Sequence, residues 1–194
     1  MKLEDPVGFA ASFASKLHAD QGKTYGKDAD GAPMPYGKHL RDAYLVALRF
    51  GHTDKKIHTA LFLHDLVEDL FKDESREQGY QIVRLLFGPE VHDIVFAVTD
   101  EPGKNRKERK AATYPKIRAL PKAVIVKLCD RIANLEQAHA AKNLGMWLMY
   151  SGEQYEFRKA LYVPGENEAM WAHIDTLFAT RPELPAPVPV APEI

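Results

Sequence analysis

The sequence predicts an all-α protein, and three observations carry that prediction. Apolar residues recur at spacings of three and four through most of the chain, which is the period of one face of a helix. Glycine and proline cluster in the short stretches between these patterns, where they interrupt regular structure. No segment alternates polar and apolar residues convincingly enough for a strand, although the short apolar run at residues 123–126 is ambiguous.

The first elements follow from this spacing. Residues 7–19 follow Pro6 and form an amphipathic pattern, which predicts a helix. Glycines and prolines then break any regular pattern over residues 22–37, so we expect a loop there. Helical spacing resumes at residues 39–50. The next predicted helix spans residues 57–70, where six apolar residues recur at helical intervals.

Helical patterns continue through the second half of the chain. They cover residues 81–86, 91–98, 107–120, 122–140, 147–161 and 167–178. Gly88 and Pro89 form a turn signal between the first two of these. Five prolines exclude a helix over residues 181–194. We therefore expect a single domain over residues 1–180 and a disordered tail after it.

Composition restricts the class of function. The 194 residues are 45% hydrophobic and 27% charged, which suits one globular domain with a sizeable core. A net charge of -1 argues against nucleic-acid binding driven by bulk charge, while it allows a local basic pocket. The single Cys129 excludes an internal disulfide framework.

Nothing in the sequence resembles a membrane anchor. No apolar stretch approaches the roughly 20 residues of a membrane span, and the N-terminus lacks the hydrophobic core of a signal peptide. We therefore expect a cytoplasmic protein.

The most informative segment places an imidazole and three carboxylates in six consecutive residues inside an apolar run. They are His64, Asp65, Glu68 and Asp69. On a continuous helix, His64 would lie under Glu68 and Asp65 under Asp69, since residues four apart are stacked. Burying this charge without a counter-ion is costly, so a metal ion is the simplest neutralising partner. A solvent-facing acidic helix end is the alternative, which the flanking apolar residues argue against.

Two further residues are placed to complete such a site. His39 begins the preceding helix, and Asp130 lies on a later one. Lys127, Asp130, Arg131 and Asn134 recur at spacings of three and four, which forms one polar face on an otherwise apolar helix. This face suits a phosphate bound beside a metal. Alternatively, His39 has no ligand role and Asp130 forms a structural salt bridge to Lys127 or Arg131.

Taken in order, these motifs resemble the HD superfamily of metal-dependent phosphohydrolases, whose signature is a His, a His-Asp pair and a distant Asp. The Glu68-Asp69 pair is similar to the RelA/SpoT group, which uses manganese to remove the 3′-pyrophosphate of the alarmone (p)ppGpp. Residues 18–21, 86–91, 97–101 and 127–135 are also similar to that group, and the resemblance covers roughly residues 10–140.

The resemblance implies an HD-domain helical bundle and a (p)ppGpp hydrolase of the stringent response. It implies that the metal ligands, for Mn²⁺ or another divalent ion, are His39, His64, Asp65 and Asp130. It implies that the residues which position and deprotonate the attacking water are Glu68 and Asp69. The expected substrate contacts are Asn134 and, with weaker support, Lys127, Arg131 and Lys23.

The chain departs from the family where the nucleotide base would lie. Gly22-Lys23 stands in place of a basic pair, and the glycine-rich stretch to Pro35 looks like an insertion. Another nucleotide on the same site therefore stays open, such as a nucleoside monophosphate, a cyclic nucleotide or NADPH. So does a non-catalytic nucleotide sensor, although a sensor has no need for Glu68 and Asp69. The basic run at residues 104–110 is either a pyrophosphate clamp or, in the interpretation we favour, a solvated helix start.

Overall fold

The computed structural model describes residues 4–28, 31–72 and 75–182, and these contain ten helices and two short strands. In chain order the elements are α1 (Pro6–Asp20), β1 (Thr24–Lys27), β2 (Pro33–Pro35), α2 (Gly37–Arg49), α3 (Lys55–Leu63), α4 (Leu66–Leu70), α5 (Arg76–Phe87), α6 (Pro89–Val98), α7 (Arg106–Ala119), α8 (Pro121–Ala140), α9 (Leu144–Leu161) and α10 (Glu168–Ala179). The all-α prediction is confirmed. The predicted tail lies outside the described residues from residue 183 onward.

Several helices begin where the sequence supplies a proline or a capping side chain. Pro6, Pro89 and Pro121 occupy the first positions of α1, α6 and α8, where a helix needs no backbone N–H donor. Asp5 caps α1 by accepting a hydrogen bond from the N–H of Gly8 at 3.0 Å. The ambiguous apolar run at residues 123–126 lies inside α8 and is helical.

The prediction of an irregular loop over residues 22–37 is wrong in part. Strands β1 and β2 pair antiparallel in this stretch. Each strand buries a single side chain, Tyr25 in β1 and Met34 in β2, so no alternating pattern is long enough to be recognised in the sequence. Prolines occupy both ends of β2. Proline has no backbone N–H to donate, which an edge strand tolerates because it pairs with a neighbour on one side only.

The prediction of one continuous helix over residues 57–70 is also wrong. Helix α3 ends at Leu63 and α4 starts at Leu66, with His64 and Asp65 between them. Asp65 has φ -97° and ψ -4°, which lies outside the ideal helical region. Consecutive residues of an unbroken helix point about 100° apart. Because of the break, the His64 and Asp65 side chains instead converge, with Nε2 and Oδ2 3.1 Å apart.

Helix α8 lies at the centre of the molecule. It packs against α2, α3, α6, α7, α9 and α10. Its apolar face buries Leu128, Ile132 and Leu135 completely. The predicted polar face of α8 is buried as well, since Arg131 is 2% exposed and Asp130 is 7% exposed. Buried polar and charged groups need hydrogen-bond or ion-pair partners, which either the protein or a ligand must provide.

Candidate metal centre

The four residues predicted as metal ligands come together around the break between α3 and α4. His39 lies in the first turn of α2, and Asp130 lies in the middle of α8. The Nε2 atoms of His39 and His64 are 3.2 Å apart. The donor atoms of His39, His64 and Asp65 all lie within 4.8 Å of one another.

The distances among these donors fit a divalent ion. Asp65 Oδ2 is 3.3 Å from His39 Nε2, and Asp130 Oδ1 is 3.3 Å from His39 Nε2 and 3.6 Å from His64 Nε2. Ligand atoms held about 2.0–2.2 Å from one ion lie about 3.0–3.5 Å from each other. Two imidazole nitrogens with two carboxylates are also a donor set that suits a divalent transition metal.

Hydrogen bonding orients His64 for such a role. Its Nδ1 is 2.7 Å from the carbonyl oxygen of Leu61, and because a carbonyl only accepts, Nδ1 carries the hydrogen. Neutral His64 therefore presents the lone pair of Nε2 to the cluster, as a metal ligand must. The Nδ1 atom of His39 is buried and has no hydrogen-bond partner among the described residues.

The electrostatics of the cluster favour ionised carboxylates. Burial alone would raise the pKa of Asp65 and of Asp130, but the neighbouring histidines and, for Asp130, Lys127 hold both pKa values well below their usual range. Burial by itself would lower the pKa of His64. The combined effect of Asp65 and Asp130 is stronger, so the pKa of His64 is raised. Both carboxylates therefore carry the charge that a bound cation would neutralise, and the cation would displace protons from the histidines.

Glu68 and Asp69 extend the site along α4, but their surroundings differ. Glu68 Oε2 accepts a hydrogen bond from the backbone N–H of Asp100 at 3.1 Å. Burial first, and then the Asp100 and Asp65 charges, raise the pKa of Glu68. Asp69 instead lies beside Lys23, whose Nζ is 3.0 Å from Oδ1, and beside the ring of His18, whose Nε2 is 3.5 Å from Oδ2. Burial opposes ionisation of Asp69, yet these contacts lower its pKa.

The residues predicted to contact substrate divide into two groups. Lys127 and Asn134 lie at the cluster, where Lys127 Nζ donates to Asp130 Oδ2 at 2.7 Å and Asn134 Nδ2 donates to Asp130 Oδ1 at 2.6 Å. Arg131 is engaged elsewhere, since its guanidinium pairs with Glu153 at 3.2 Å. Lys23 contacts Asp69 beside the cavity and does not line it.

Arg131 is held by aromatic rings as well as by its acid partner. Its guanidinium carbon lies 4.4 Å from the ring centre of Tyr150 and 4.1 Å from that of Phe157. Glu153 also pairs with Arg106, so one carboxylate on α9 joins α7 to α8. Three members of this network, Arg106, Arg131 and Tyr150, also line the site cavity.

Four functional neighbours were not singled out from the sequence. Tyr36 donates from its hydroxyl to Asp65 Oδ2 at 2.6 Å, and Tyr25 donates to Asn134 Oδ1 at 3.0 Å. Both tyrosines belong to the stretch that the sequence describes only as a loop, and they reach the site through the hairpin. The other two are Asp100 and Lys110.

Asp100 and Lys110 form a buried ion pair at the edge of the site. Lys110 Nζ lies 2.9 Å from Asp100 Oδ1, with the residues 7% and 3% exposed. The interpretation of residues 104–110 as a solvated helix start is therefore wrong for Lys110, although Lys107 is exposed. The sequence feature that could have indicated this role is the spacing of four between Arg106 and Lys110, which places both side chains on one side of α7.

A cavity of about 160 Å³ lies beside the predicted ligands. Its lining is strongly charged. The cations are Arg106, Lys110, Lys127 and Arg131, and the carboxylates are Asp65, Glu68 and Asp130. Carboxylates and cations that line one small cavity suit a metal ion with a phosphate group next to it.

Two histidines and two aspartates come together from three parts of a helical chain. This arrangement is typical of helical proteins that bind a metal ion through histidine and aspartate. This chain belongs to the HD domain family, whose model matches residues 36–135. The match includes all four predicted ligands, and the family resemblance drawn from the motifs is confirmed.

The chain is similar to animal proteins named guanosine-3′,5′-bis(diphosphate) 3′-pyrophosphohydrolase MESH1. The Mus musculus protein is 31% identical over 180 residues, which are 89% of this chain and 92% of the relative. The Homo sapiens protein is 32% identical over 178 residues, again 89% and 92% of the two chains. The Drosophila melanogaster protein is 28% identical over 157 residues, with 78% and 84% covered.

Two solved structures share the fold. One, described as a metazoan ortholog of SpoT that hydrolyses ppGpp, superposes with a TM-score of 0.72 at 23% identity and covers 92% of this chain and 97% of its own. The other, lmo0812 from Listeria monocytogenes EGD-e, has a TM-score of 0.52 at 22% identity and covers 73% and 99%. Among the described residues, no helix is both long and apolar enough to cross a membrane.

Proposed function

We propose that this protein hydrolyses (p)ppGpp and releases its 3′-pyrophosphate, acting as a cytoplasmic enzyme of the stringent response. One observation carries the proposal: a complete His39, His64, Asp65 and Asp130 cluster lies beside Glu68 and Asp69. It is supported by similarity, over 89% of this chain, to relatives named for that reaction. We further propose Mn²⁺ as the metal and residues 1–180 as one catalytic domain.

The cluster residues would hold the divalent ion. In that position the ion supplies positive charge that polarises a phosphoryl oxygen and makes water easier to deprotonate. Mixed nitrogen and oxygen donors are compatible with manganese. The hydroxyl of Tyr36, at 2.6 Å from Asp65 Oδ2, fixes the orientation of one ligand carboxylate.

Glu68 is the proposed general base. Its side chain lines the cavity, it is oriented by the Asp100 N–H, and its raised pKa makes it a stronger proton acceptor than an ordinary glutamate. Asp69 stays ionised between Lys23 and His18 and orients the attacking water.

The reaction balances with these groups. The water oxygen forms a bond to the phosphorus attached to the ribose 3′ oxygen, and the bond between that phosphorus and the 3′ oxygen breaks. One water proton passes to Glu68. The 3′ oxygen takes up a proton from solvent as it leaves and becomes the hydroxyl of the nucleotide product, and Glu68 returns its proton to solvent, so that one water molecule is consumed. Lys127, Lys110 and Arg106, which line the cavity, stabilise the negative charge on the phosphate oxygens.

Product identification tests the reaction. Purified protein loaded with Mn²⁺ and given ppGpp should release GDP and pyrophosphate in equal amounts. Fully metal-loaded protein that binds ppGpp without turnover would contradict the proposal and would indicate a nucleotide sensor. Release of orthophosphate from a nucleoside monophosphate or NADPH, without activity on ppGpp, would assign another substrate to the site.

Two substitutions separate metal binding from catalysis. Asp65→Ala removes a proposed ligand, so we expect loss of both metal and activity. Glu68→Gln removes the proposed base while preserving shape, so metal content should stay at the wild-type level while kcat falls by about 10²–10⁴-fold. Metal analysis and steady-state kinetics measure both effects. Asp93→Asn, at an exposed position on α6, is the control, and equal metal loss in the first two variants would contradict the assigned roles.

A further inference from the structure

A fully buried histidine on α1, His18, lies outside both the metal cluster and the lining of the site cavity. Ala10, Ala14 and His18 recur at a spacing of four and are all 0% exposed, so they form one stripe on the inner face of α1. Helix α1 packs against α2, α3 and α4. An imidazole at the end of such a stripe is costly to bury unless its ring nitrogens have polar partners.

The two ring nitrogens of His18 face two different acceptors. Nδ1 is 2.8 Å from the carbonyl oxygen of Ala14, and because a carbonyl only accepts, Nδ1 carries a hydrogen. Nε2 is buried 3.5 Å from Oδ2 of Asp69, and it has no other hydrogen-bond partner among the described residues. The ring is therefore anchored to its own helix through one nitrogen, while the other is directed at the carboxylate proposed to orient water.

The plane of the His18 ring is fixed by a third contact. Its centre lies 4.4 Å from the centre of the Tyr36 ring, and the two planes are inclined by 4°, so the rings are stacked. Tyr36 is itself held in place, because its hydroxyl donates to Asp65 Oδ2 at 2.6 Å. The imidazole therefore lies between a tyrosine bound to one proposed metal ligand and the carboxylate of Asp69.

Asp69 has a second partner, Lys23, but this residue holds it less firmly. Lys23 Nζ lies 3.0 Å from Oδ1 of Asp69, and the Lys23 side chain is 33% exposed, whereas that of His18 is 0% exposed. A partly exposed ion pair is screened by water and restrains its members weakly. The buried His18 ring is packed on its faces and edges, so it restricts rotation of the Asp69 carboxylate more strongly.

We propose that His18 is a positioning residue for hydrolysis: its Nε2 donates to Asp69 and fixes the direction in which that carboxylate faces the attacking water. The inference rests on the proposed function, because it assigns His18 an effect on kcat through Asp69. His18 does not line the cavity, so it acts through this neighbour and not on the substrate.

A double-mutant cycle between His18 and Asp69 tests this role. His18→Phe keeps a ring against Tyr36 and removes both nitrogens, so we expect kcat for ppGpp to fall about 10-fold to 100-fold while KM stays within about twofold of wild type. In an Asp69→Asn background, the same substitution should change kcat by less than about threefold, because the partner is already altered. Equal losses of kcat in the two backgrounds would overturn the proposal.

A conservative replacement provides a rescue. The amide nitrogen of glutamine is as many bonds from Cα as Nε2 of histidine and can donate to Asp69. His18→Gln should therefore keep a higher kcat than His18→Phe, and equal kcat values in the two variants would contradict the proposed hydrogen bond. If phenylalanine impairs folding, His18→Leu replaces it, and its loss of kcat should again be several-fold smaller in the Asp69→Asn background.

Phe13→Leu is the matched control on α1. Phe13 packs against the rings of Phe9 and Phe87, and it lies on a different side of the helix from the buried stripe. It should loosen the packing of α1 while kcat stays within about twofold of wild type. A loss of kcat as large as that of His18→Phe would show that any loosening of α1 lowers the rate, which would overturn a specific role for His18.

A cycle that needs no turnover keeps this inference distinct from the proposed function. Denaturant unfolding of the wild type, the two single variants and the double variant measures the coupling between His18 and Asp69 in the folded protein. We expect the double variant to lose less stability than the sum of the single losses. Strictly additive losses overturn the contact even if ppGpp is hydrolysed. Coupling without hydrolysis of ppGpp supports the His18–Asp69 pair and rejects the reaction instead.

Discussion

At the scale of single residues, Glu68 and Asp69 show how the surroundings of two similar carboxylates give them different pKa values. Glu68 is largely buried near Asp100 and Asp65, and these effects outweigh the charges of Lys110 and Lys127, whereas Asp69 contacts Lys23 and His18. Their pKa values therefore move in opposite directions, although the residues are adjacent in the chain. Two carboxylates with separated pKa values can act as proton acceptor and permanent anion in one reaction.

Asp100→Asn tests the origin of the raised pKa of Glu68. Burial is its largest cause and the charge of Asp100 the next. The base works when ionised, so kcat falls as pH drops through this pKa. Removing the Asp100 charge lowers that pKa, and the unpaired Lys110 acts in the same direction. The acid limb of the kcat profile should therefore move to lower pH, measured at saturating metal and substrate.

A shift of the acid limb to higher pH, or none, would contradict this account of Glu68. The backbone N–H of residue 100 is retained in the variant, so the hydrogen bond to Glu68 should survive. Asp93→Asn again provides the exposed control on α6, and its profile should match that of the wild-type protein.

The residues proposed as metal ligands were named from the sequence, and their roles stay a prediction. His39, His64, Asp65 and Asp130 were predicted as ligands because their residue types and order are those of a metal site, and the structure brings them together. The partners around them were not predicted, since the roles of Tyr36, Asp100 and Lys110 exist only through contacts between distant segments.

At the scale of elements, periodicity located the helices but not their interruptions. Helix α5 begins at Arg76 rather than at residue 81, because its first turn is largely polar and shows no apolar period. The break at His64 and Asp65 leaves the same apolar spacing on both sides. A pattern of apolar residues therefore cannot distinguish this bent pair of helices from one straight helix.

The contact between α4 and α5 gives an element-scale prediction. A Cβ atom at Gly79 would lie 2.7 Å from the ring of Phe71, which follows α4. Gly79→Ala should therefore destabilise the fold by about 1–3 kcal/mol, despite the better helix propensity of alanine. Gly152→Ala is the matched control, because no atom lies within 4 Å of its new methyl group. We expect it to stabilise the protein by about 0.4–1 kcal/mol.

Denaturant unfolding of both variants measures these changes. Since α4 carries Glu68 and Asp69, Gly79→Ala should also reduce kcat as the two carboxylates shift. Equal stability of the two alanine variants would show that Phe71 moves aside without cost and that α4 is not held by this contact.

At the scale of the whole molecule, the candidate site is a meeting point of segments far apart in sequence. Helices α2 and α8 and the junction of α3 with α4 each bring part of the cluster. The carboxylates of Asp65 and Asp130 lie close together in this buried place, where they raise the pKa of His64 and where Lys127 lowers the pKa of Asp130. A bound ion would join these segments directly, so metal binding and folding stability should be linked.

This linkage predicts that metal stabilises the folded protein. A ligand that binds only the folded state at about 100 times its Kd adds about 2.7 kcal/mol to the free energy of unfolding. Adding Mn²⁺ to chelator-treated protein should therefore raise Tm, and Asp130→Ala should remove most of the increase. Asp93→Ala should respond like the wild-type protein. An identical rise of Tm in Asp130→Ala would place the ion elsewhere.

The sequence by itself determined the helical class, because the helical period is a local property, and its resemblance to a family named the residues that we propose as metal ligands. Tertiary structure alone decided that His64 and Asp65 lie at a break, that Tyr25 and Tyr36 reach the site, and that Arg106 and Lys110 line its cavity. These features depend on packing between segments that are distant in the chain. Local patterns in the sequence do not show which of these segments contact each other.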